Sequence, residues 1–297
     1  MRAVLTDGAI FAIRKENNMA LKTNYELMRD ALEQRQAVPA FNIDNLESAL
    51  AVAEVLRETG SPVIVQTIPR TLNYGGVSTY PALMHELTAD CAADWAMHLD
   101  HGSSLELAAK CVKAGFTSVM FDGSLLPFEE NVRKTAEVTA MALPLGVSVE
   151  GELGTIGGKE EGDTDLEASY TKVDEAVEFV ERTHVTSLAI GVGTAHGVYK
   201  GTPHIHVQRI REIHAATDVQ LVLHGASGLS DDVLRECIEA GICKINFATE
   251  LRQAYTAGIR KALAADPDVF DPKLYMRTAI DEIKAVLRQK IAVCRGE

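Results

Sequence analysis

The sequence predicts an α/β protein built as one closed (β/α)8 barrel with extra helices at its C-terminal end, and three observations predict it. Short apolar runs rich in Val and Ile recur eight times along 297 residues. Helical patterns separate most of them, and strands that alternate with helices pair in parallel, because a parallel connection needs a crossover. The length suits a single barrel of this kind. An open doubly wound sheet is the alternative. It usually carries a glycine-rich turn after its first strand, where this chain reads Asn42-Ile43-Asp44.

The elements follow in order. Residues 1–18 read as an N-terminal extension or start-site artefact ahead of a single domain over 19–297. Asp7, Arg14, Lys15 and Glu16 interrupt any signal-peptide apolar region, and Met19-Ala20-Leu21 looks like a second start. The first strand is expected over 37–43 and the second over 62–67, with a helix at 45–59 between them. A helix at 80–92 leads to the third strand at 95–100, and a helix at 104–114 to the fourth at 118–123. A helix at 129–142 precedes the fifth strand at 147–153. The loop 154–171 is long, with four glycines and five acids, and reads as a lid. Helices at 173–183, 206–216 and 230–240 then alternate with strands at 187–192, 221–225 and 243–248. A helix follows at 249–265, Asp266-Pro267 and Asp271-Pro272 break the chain, and 275–293 reads as a last amphipathic helix, for core packing or an interface.

Composition bounds the partners. Apolar content of 46% supports a large core. A net charge of −13 argues against nucleic acid or an anionic membrane surface. No apolar run approaches a membrane span. Cys91, Cys111, Cys237, Cys243 and Cys294 form no CxxC pair and read as reduced thiols, consistent with a cytoplasmic protein.

The chemistry gathers at the C-terminal ends of the expected strands, the face that holds the active site in such barrels. Asp100 and His101 end the third strand, His196 follows the sixth and His224 ends the seventh. Three neutral imidazoles leave a divalent metal an open position, the arrangement of catalytic zinc. His98 shares a strand face with Asp100 but lies deeper, a hydrogen-bonded core histidine or a support for the ligands. His204 and His206 read as surface residues. Gly197, Gly225-Ala226-Ser227-Gly228 and Asn246-Phe247-Ala248-Thr249 follow strands six to eight. Their backbone N–H groups and hydroxyls, with Lys200, suit a phosphate. Glu160 and Glu161 lie in the lid, placed to deliver a carboxylate base.

The strings His-Leu-Asp-His, Val-Glu-x-Glu-Leu-Gly-x-x-Gly-Gly, Gly-Thr-Ala-His-Gly, Leu-His-Gly-Ala-Ser-Gly and Lys-Ile-Asn-x-Ala-Thr-Glu resemble the class II, zinc-dependent ketose-bisphosphate aldolases, in order from about residue 20 to the end. Ala248 and the run Asp-Pro-Lys-Leu-Tyr-Met-Arg look like the tagatose-bisphosphate branch, with fructose-bisphosphate enzymes as near relatives. The resemblance implies that His101, His196 and His224 hold Zn2+, which would polarise the carbonyl of dihydroxyacetone phosphate and stabilise its enediolate. It implies that Asp100 handles the C4 hydroxyl proton and Glu160 the proton at C3. Gly197, Lys200, Gly225, Ala226, Ser227, Asn246, Phe247, Ala248 and Thr249 would form the donor phosphate site. Asp122, Glu150 and Glu152 match acidic positions near the metal, as supports or alternate ligands. A monovalent cation, Na+ or K+, and a homodimer or homotetramer are also implied.

Two departures concern the sugar. The tagatose branch typically has Ala-Gly-Thr-Pro-Gly-Thr after strand two, where this chain has Gln66-Thr67-Ile68-Pro69-Arg70-Thr71. Ile68 thus replaces a hydroxyl residue, while Arg70 and Arg252 are candidate acceptor-side cations. Gly102 stands where that branch usually has a second histidine. The expected reaction is cleavage of a ketose 1,6-bisphosphate, tagatose before fructose, to dihydroxyacetone phosphate and glyceraldehyde 3-phosphate. The alternatives are an aldolase for another ketose 1-phosphate with a non-phosphate terminus, a non-catalytic barrel serving as a partner subunit, and a metal-dependent hydrolase. The hydrolase would want a second metal or a bridging ligand, and no such set stands out.

Overall fold

The computed structural model describes residues 21–154, 170–197, 199, 201 and 203–297. Eight parallel strands close into one barrel in sequence order: β1 (Val38–Asn42), β2 (Val63–Thr67), β3 (Trp95–Leu99), β4 (Ser118–Met120), β5 (Ser148–Leu153), β6 (Ser187–Ile190), β7 (Gln220–Leu223) and β8 (Ile242–Phe247). The first strand pairs with the last, so no sheet edge is left open. The strands expected at 118–123 and 187–192 stop early, at Met120 and Ile190. Asp122 therefore stands in a loop, free of the ladder.

Two helices escape the periodic reading. α1 (Asn24–Glu33) is set by a capping box, Thr23 with Glu26. It turns Leu27, Met28 and Ala31 into the N-terminal mouth of the barrel, against Val38, Ala40, Ile64, Ala96, Ala189, Val222 and Cys243. The small side chains on the strands leave the room that α1 fills. α3 (Pro69–Gly75) starts on Pro69, whose fixed φ and missing N–H suit a first helical turn. The next helix, α4 (Thr79–Leu87), ends five residues before the expected boundary.

The remaining helices lie close to expectation: α2 (Leu46–Thr59), α5 (Leu105–Lys113), α6 (Phe128–Ala142), α7 (Val173–Thr183), α8 (Val207–Ala216), α9 (Asp231–Glu239) and α10 (Thr249–Ala265). α2 shows the logic: Asn45 caps it, and Ala49, Val52, Ala53 and Leu56 recur at helical spacing on its buried face. The last helix, α11 (Pro272–Arg295), packs on α10 and α2 and buries Ile283, Leu287 and Ile291. The core is thus a large apolar shell between strands and helices. Inside the barrel, the apolar layer on α1 gives way to a polar one.

Candidate active site

That polar layer follows from strand alternation. Inward positions two residues apart carry Gln66 on β2, His98 and Asp100 on β3, Glu150 and Glu152 on β5, and Lys244 and Asn246 on β8, all buried. Burying so many polar groups is tolerable only because most satisfy one another.

Asp100 is held by three amides. Asn42 Nδ2 donates to Oδ2 at 2.8 Å, Gln66 Nε2 to Oδ2 at 3.2 Å, and Asn246 Nδ2 to Oδ1 at 3.1 Å. Burial alone would raise its pKa; His101 and His224 nearby, helped by Asn42, outweigh that and hold Asp100 below the usual carboxylate range. The residue is fixed, ionised and aimed at the cavity it lines.

The rings of His101, His196 and His224 converge. Centroids lie 4.9 Å apart for His101 and His196, 4.8 Å for His101 and His224, and 6.1 Å for His196 and His224. Their candidate ligand nitrogens all lie within 4.8 Å of one another. His101 donates Nδ1–H to Asp122 Oδ2 at 2.7 Å, which leaves its Nε2 lone pair free. His224 donates Nε2–H to Glu150 Oε1 at 2.8 Å, which leaves its Nδ1 lone pair free. Carboxylates that fix the tautomer in this way are the usual support of metal-bound imidazoles. Glu150 is itself anchored by Lys244 Nζ at 2.8 Å, and His98 Nε2 lies 3.6 Å away. His98 is a core histidine, bonded through Nδ1 to Ser118 Oγ at 2.8 Å.

A divalent ion fits these residues. His224 Nδ1 and Glu152 Oε2 are buried without a hydrogen-bond partner, 3.5 Å from each other. His101, Asp122 and Glu152 form a second compatible donor group. The electrostatics point the same way. Burial pushes Glu152 up to about 8, helped by the charge on Asp122. Burial also lowers His101, but Asp100, Asp122 and Glu152 override it and raise that ring to about 10. Burial, reinforced by His101, lowers His196 to about 4. The acidic cluster around His101 favours positive charge at this point.

Two backbone details position His101. Its φ of 49° is left-handed, a conformation it shares among the described non-glycine residues with Arg35 and His184. The following Gly102 packs so tightly on the Met120 carbonyl that a Cβ would overlap it. A histidine at 102 therefore does not fit this backbone.

The site opens into a cavity of about 510 Å³. Its wall holds Gly197, Gly225, Ser227, Asn246, Ala248 and Thr249 from the ends of β6 to β8, Asp100, His101, Asp122, Glu152 and His196, and also Ile68 and Arg252. Ala248 caps α10 with no side-chain acceptor, so the N–H groups of the first turn are open to an anion. Phe247 differs from expectation. Its ring is fully buried against Phe41 at 6.0 Å, because alternation sends it outward from the barrel. Ala226 is buried and Arg70 is exposed on α3; neither lines the cavity. Arg252 is bound to Asp44. Glu160 and Lys200, with most of the expected lid, lie outside the described residues. Asn42, Gln66 and Lys244 escape the sequence reading as site residues. The signal for them was a polar residue at an inward position of an otherwise apolar strand.

A family model described as fructose-bisphosphate aldolase class-II matches residues 22–297. Among solved structures, the chain is similar to the YdjI aldolase from Escherichia coli K12, with 33% identity, a TM-score of 0.82, and coverage of 92% of this chain and 97% of that one. A putative fructose-1,6-biphosphate aldolase from Coccidioides immitis matches at 28% identity and TM-score 0.81, over 90% of this chain and 94% of that one. The fold is shared with fructose-bisphosphate aldolase from Campylobacter jejuni, at 21% identity and TM-score 0.78, over 92% and 95% of the two chains.

Proposed function

The chain belongs to the class-II fructose-bisphosphate aldolase family and is a lyase, and we propose that it performs zinc-dependent, reversible aldol cleavage of a phosphorylated ketose to dihydroxyacetone phosphate and an aldehyde. The observation that carries this reading is the placement of an ionised, triply hydrogen-bonded Asp100 beside three converging imidazoles with free lone pairs. His101, His196 and His224 would hold zinc, a Lewis acid for the ketose carbonyl. Asp100 accepts the C4 hydroxyl proton as the C3–C4 bond breaks and C4 becomes the aldehyde carbonyl. Asn42, Gln66 and Asn246 fix the direction in which Asp100 accepts it. Glu160 serves the proton at C3. Gly197, Gly225, Ser227, the open N-terminus of α10 at Ala248 and Thr249, and Lys200 bind the donor phosphate. A Na+ or K+ ion near that phosphate belongs to the same reading, as do a cytoplasmic location and a homodimer or homotetramer.

Among bisphosphates, Ala248 and the C-terminal Asp-Pro-Lys-Leu-Tyr-Met-Arg run favour tagatose over fructose. A second reading, a ketose 1-phosphate without a distal phosphate, is favoured by Ile68 in the cavity wall and by the pairing of Arg252. The test of the reaction is chelation. Cleavage of tagatose 1,6-bisphosphate or another ketose 1-phosphate is expected to stop in a chelator and return with zinc. Asp100→Ala is expected to lower kcat by about 10²–10⁴-fold while still binding one zinc. Chelator-insensitive cleavage, or full activity in Asp100→Ala, would overturn the assignment.

A further inference from the structure

We propose that Asp44 is a specificity residue that neutralises Arg252 and turns the acceptor end of the cavity toward aldehydes without a terminal phosphate; this rests on the aldolase reading above. On that reading the donor phosphate would occupy the loops after β6, β7 and β8. The rest of the ketose then extends across the imidazoles toward the loops after β1 and β2. Ile68 after β2 and Arg252 in the first turn of α10 are in the cavity wall, and Arg252 is bonded to Asp44 after β1, which Thr71 in turn holds.

Among the described lining residues, Arg252 is the sole lysine or arginine. Two prongs of its guanidinium are already committed to Asp44. Nε donates to Asp44 Oδ2 at 2.7 Å and a terminal nitrogen donates to Oδ1 at 3.1 Å, a two-pronged pair of the kind a phosphate would otherwise take. Asp44 is fixed in turn. Thr71 Oγ1 donates to its Oδ1 at 2.7 Å, and Tyr80 Oη donates to its backbone carbonyl at 3.2 Å. A terminal phosphate dianion arriving here meets a guanidinium whose charge Asp44 offsets, and it must either displace that carboxylate or lie close to it. The neighbouring wall gives it the apolar side chain of Ile68 rather than a hydroxyl. A neutral polyol end meets no such repulsion, and its hydroxyls can hydrogen-bond to the pair as it stands. Discrimination of this kind works by repelling the wrong ligand as much as by attracting the right one.

The test uses the zinc-loaded enzyme in the condensation direction. Dihydroxyacetone phosphate is joined to glyceraldehyde or to glyceraldehyde 3-phosphate, acceptors that differ only in the phosphate. The readout is the ratio of the two kcat/KM values within each variant, which cancels losses of folded protein. The wild-type ratio is expected to favour glyceraldehyde. Asp44→Asn is expected to shift it about tenfold or more toward the phosphorylated acceptor, because one charged hydrogen-bonded pair is released for the phosphate. Adding Arg252→Met to Asp44→Asn is expected to erase that shift. An unchanged ratio in Asp44→Asn overturns the proposal. So does a wild-type preference for the phosphorylated acceptor that Arg70→Ala removes, since Arg70 would then set the acceptor end. Failure to join dihydroxyacetone phosphate to any aldehyde would instead sink the aldolase reading itself.

Discussion

Glu150 illustrates the residue scale. It lies too deep to line the cavity, yet it accepts Nε2–H of His224 and is anchored by Lys244. The work proposed for it is to fix the His224 tautomer. Glu150→Gln keeps the volume but removes the charge that holds both partners. Zinc affinity, measured by competition with a chromophoric chelator, is expected to fall about 10- to 100-fold, the usual cost of losing such a support. Unchanged affinity would show that His224 is oriented by packing alone. The sequence made the imidazoles and Asp100 legible because they break apolar runs at strand ends. It left Asn42 and Gln66 unread as Asp100 partners, because a neutral amide at a strand end has many ordinary reasons to be there. The Phe247 side chain faces away from the cavity for a related reason: a string motif names neighbours in sequence, whereas a strand sends alternate neighbours to opposite faces.

At the scale of elements, α11 ties the end of the chain to α2. Lys284 is nearly buried and reaches Glu54 and Glu58 on α2, while Arg277 grips Glu54 with both terminal nitrogens at 2.7 and 2.8 Å. The Arg277 hydrogen bonds, with Lys284 and against burial, hold Glu54 down at about 2. A depressed carboxylate stabilises the fold fully above its unfolded value near 4.5, and that contribution is lost as pH falls toward 2. The melting temperature is therefore expected to drop between about pH 5 and pH 2, and Glu54→Gln to show a shallower drop than wild type across that window. Parallel curves would mean that the clamp carries no linked proton. α11 was legible from its period and from the proline breaks before it. α1 was not, because a single short helix that plugs a barrel has no neighbouring repeat to announce it.

For the whole molecule, a zinc ion at the proposed site would couple the barrel's strands. Its proposed ligands come from the ends of β3, β6 and β7, and their supports from β5, β8 and the loop after β4. These elements are far apart in sequence, so binding stabilises the closed barrel over the open chain. Free zinc at a hundredfold excess over Kd is expected to add about 2.7 kcal/mol, read as a rise in Tm of several degrees. A chelator should reverse the rise, and His224→Ala should abolish it. A zinc-dependent rise that survives in His224→Ala would place the ion elsewhere. Among the described residues no helix is long and apolar enough to cross a membrane.

The sequence by itself determined the barrel, its strand order and which polar residues stand at its rim. Alternation of β and α segments admits few topologies, and strand-end histidines beside an aspartate have few other uses. The tertiary structure decided what lies inside. Only closure of the barrel brings Asn42, Gln66 and Asn246, from three different strands, onto one carboxylate. Only closure sets Glu150 against both Lys244 and His224, 94 and 74 residues away in the chain. The same holds at the acceptor end, where Asp44 and Arg252 are 208 residues apart and meet because the first strand pairs with the last. Hydrogen bonds and ion pairs act over a few ångströms of space, and a one-dimensional pattern carries no record of which distant residues will come that close.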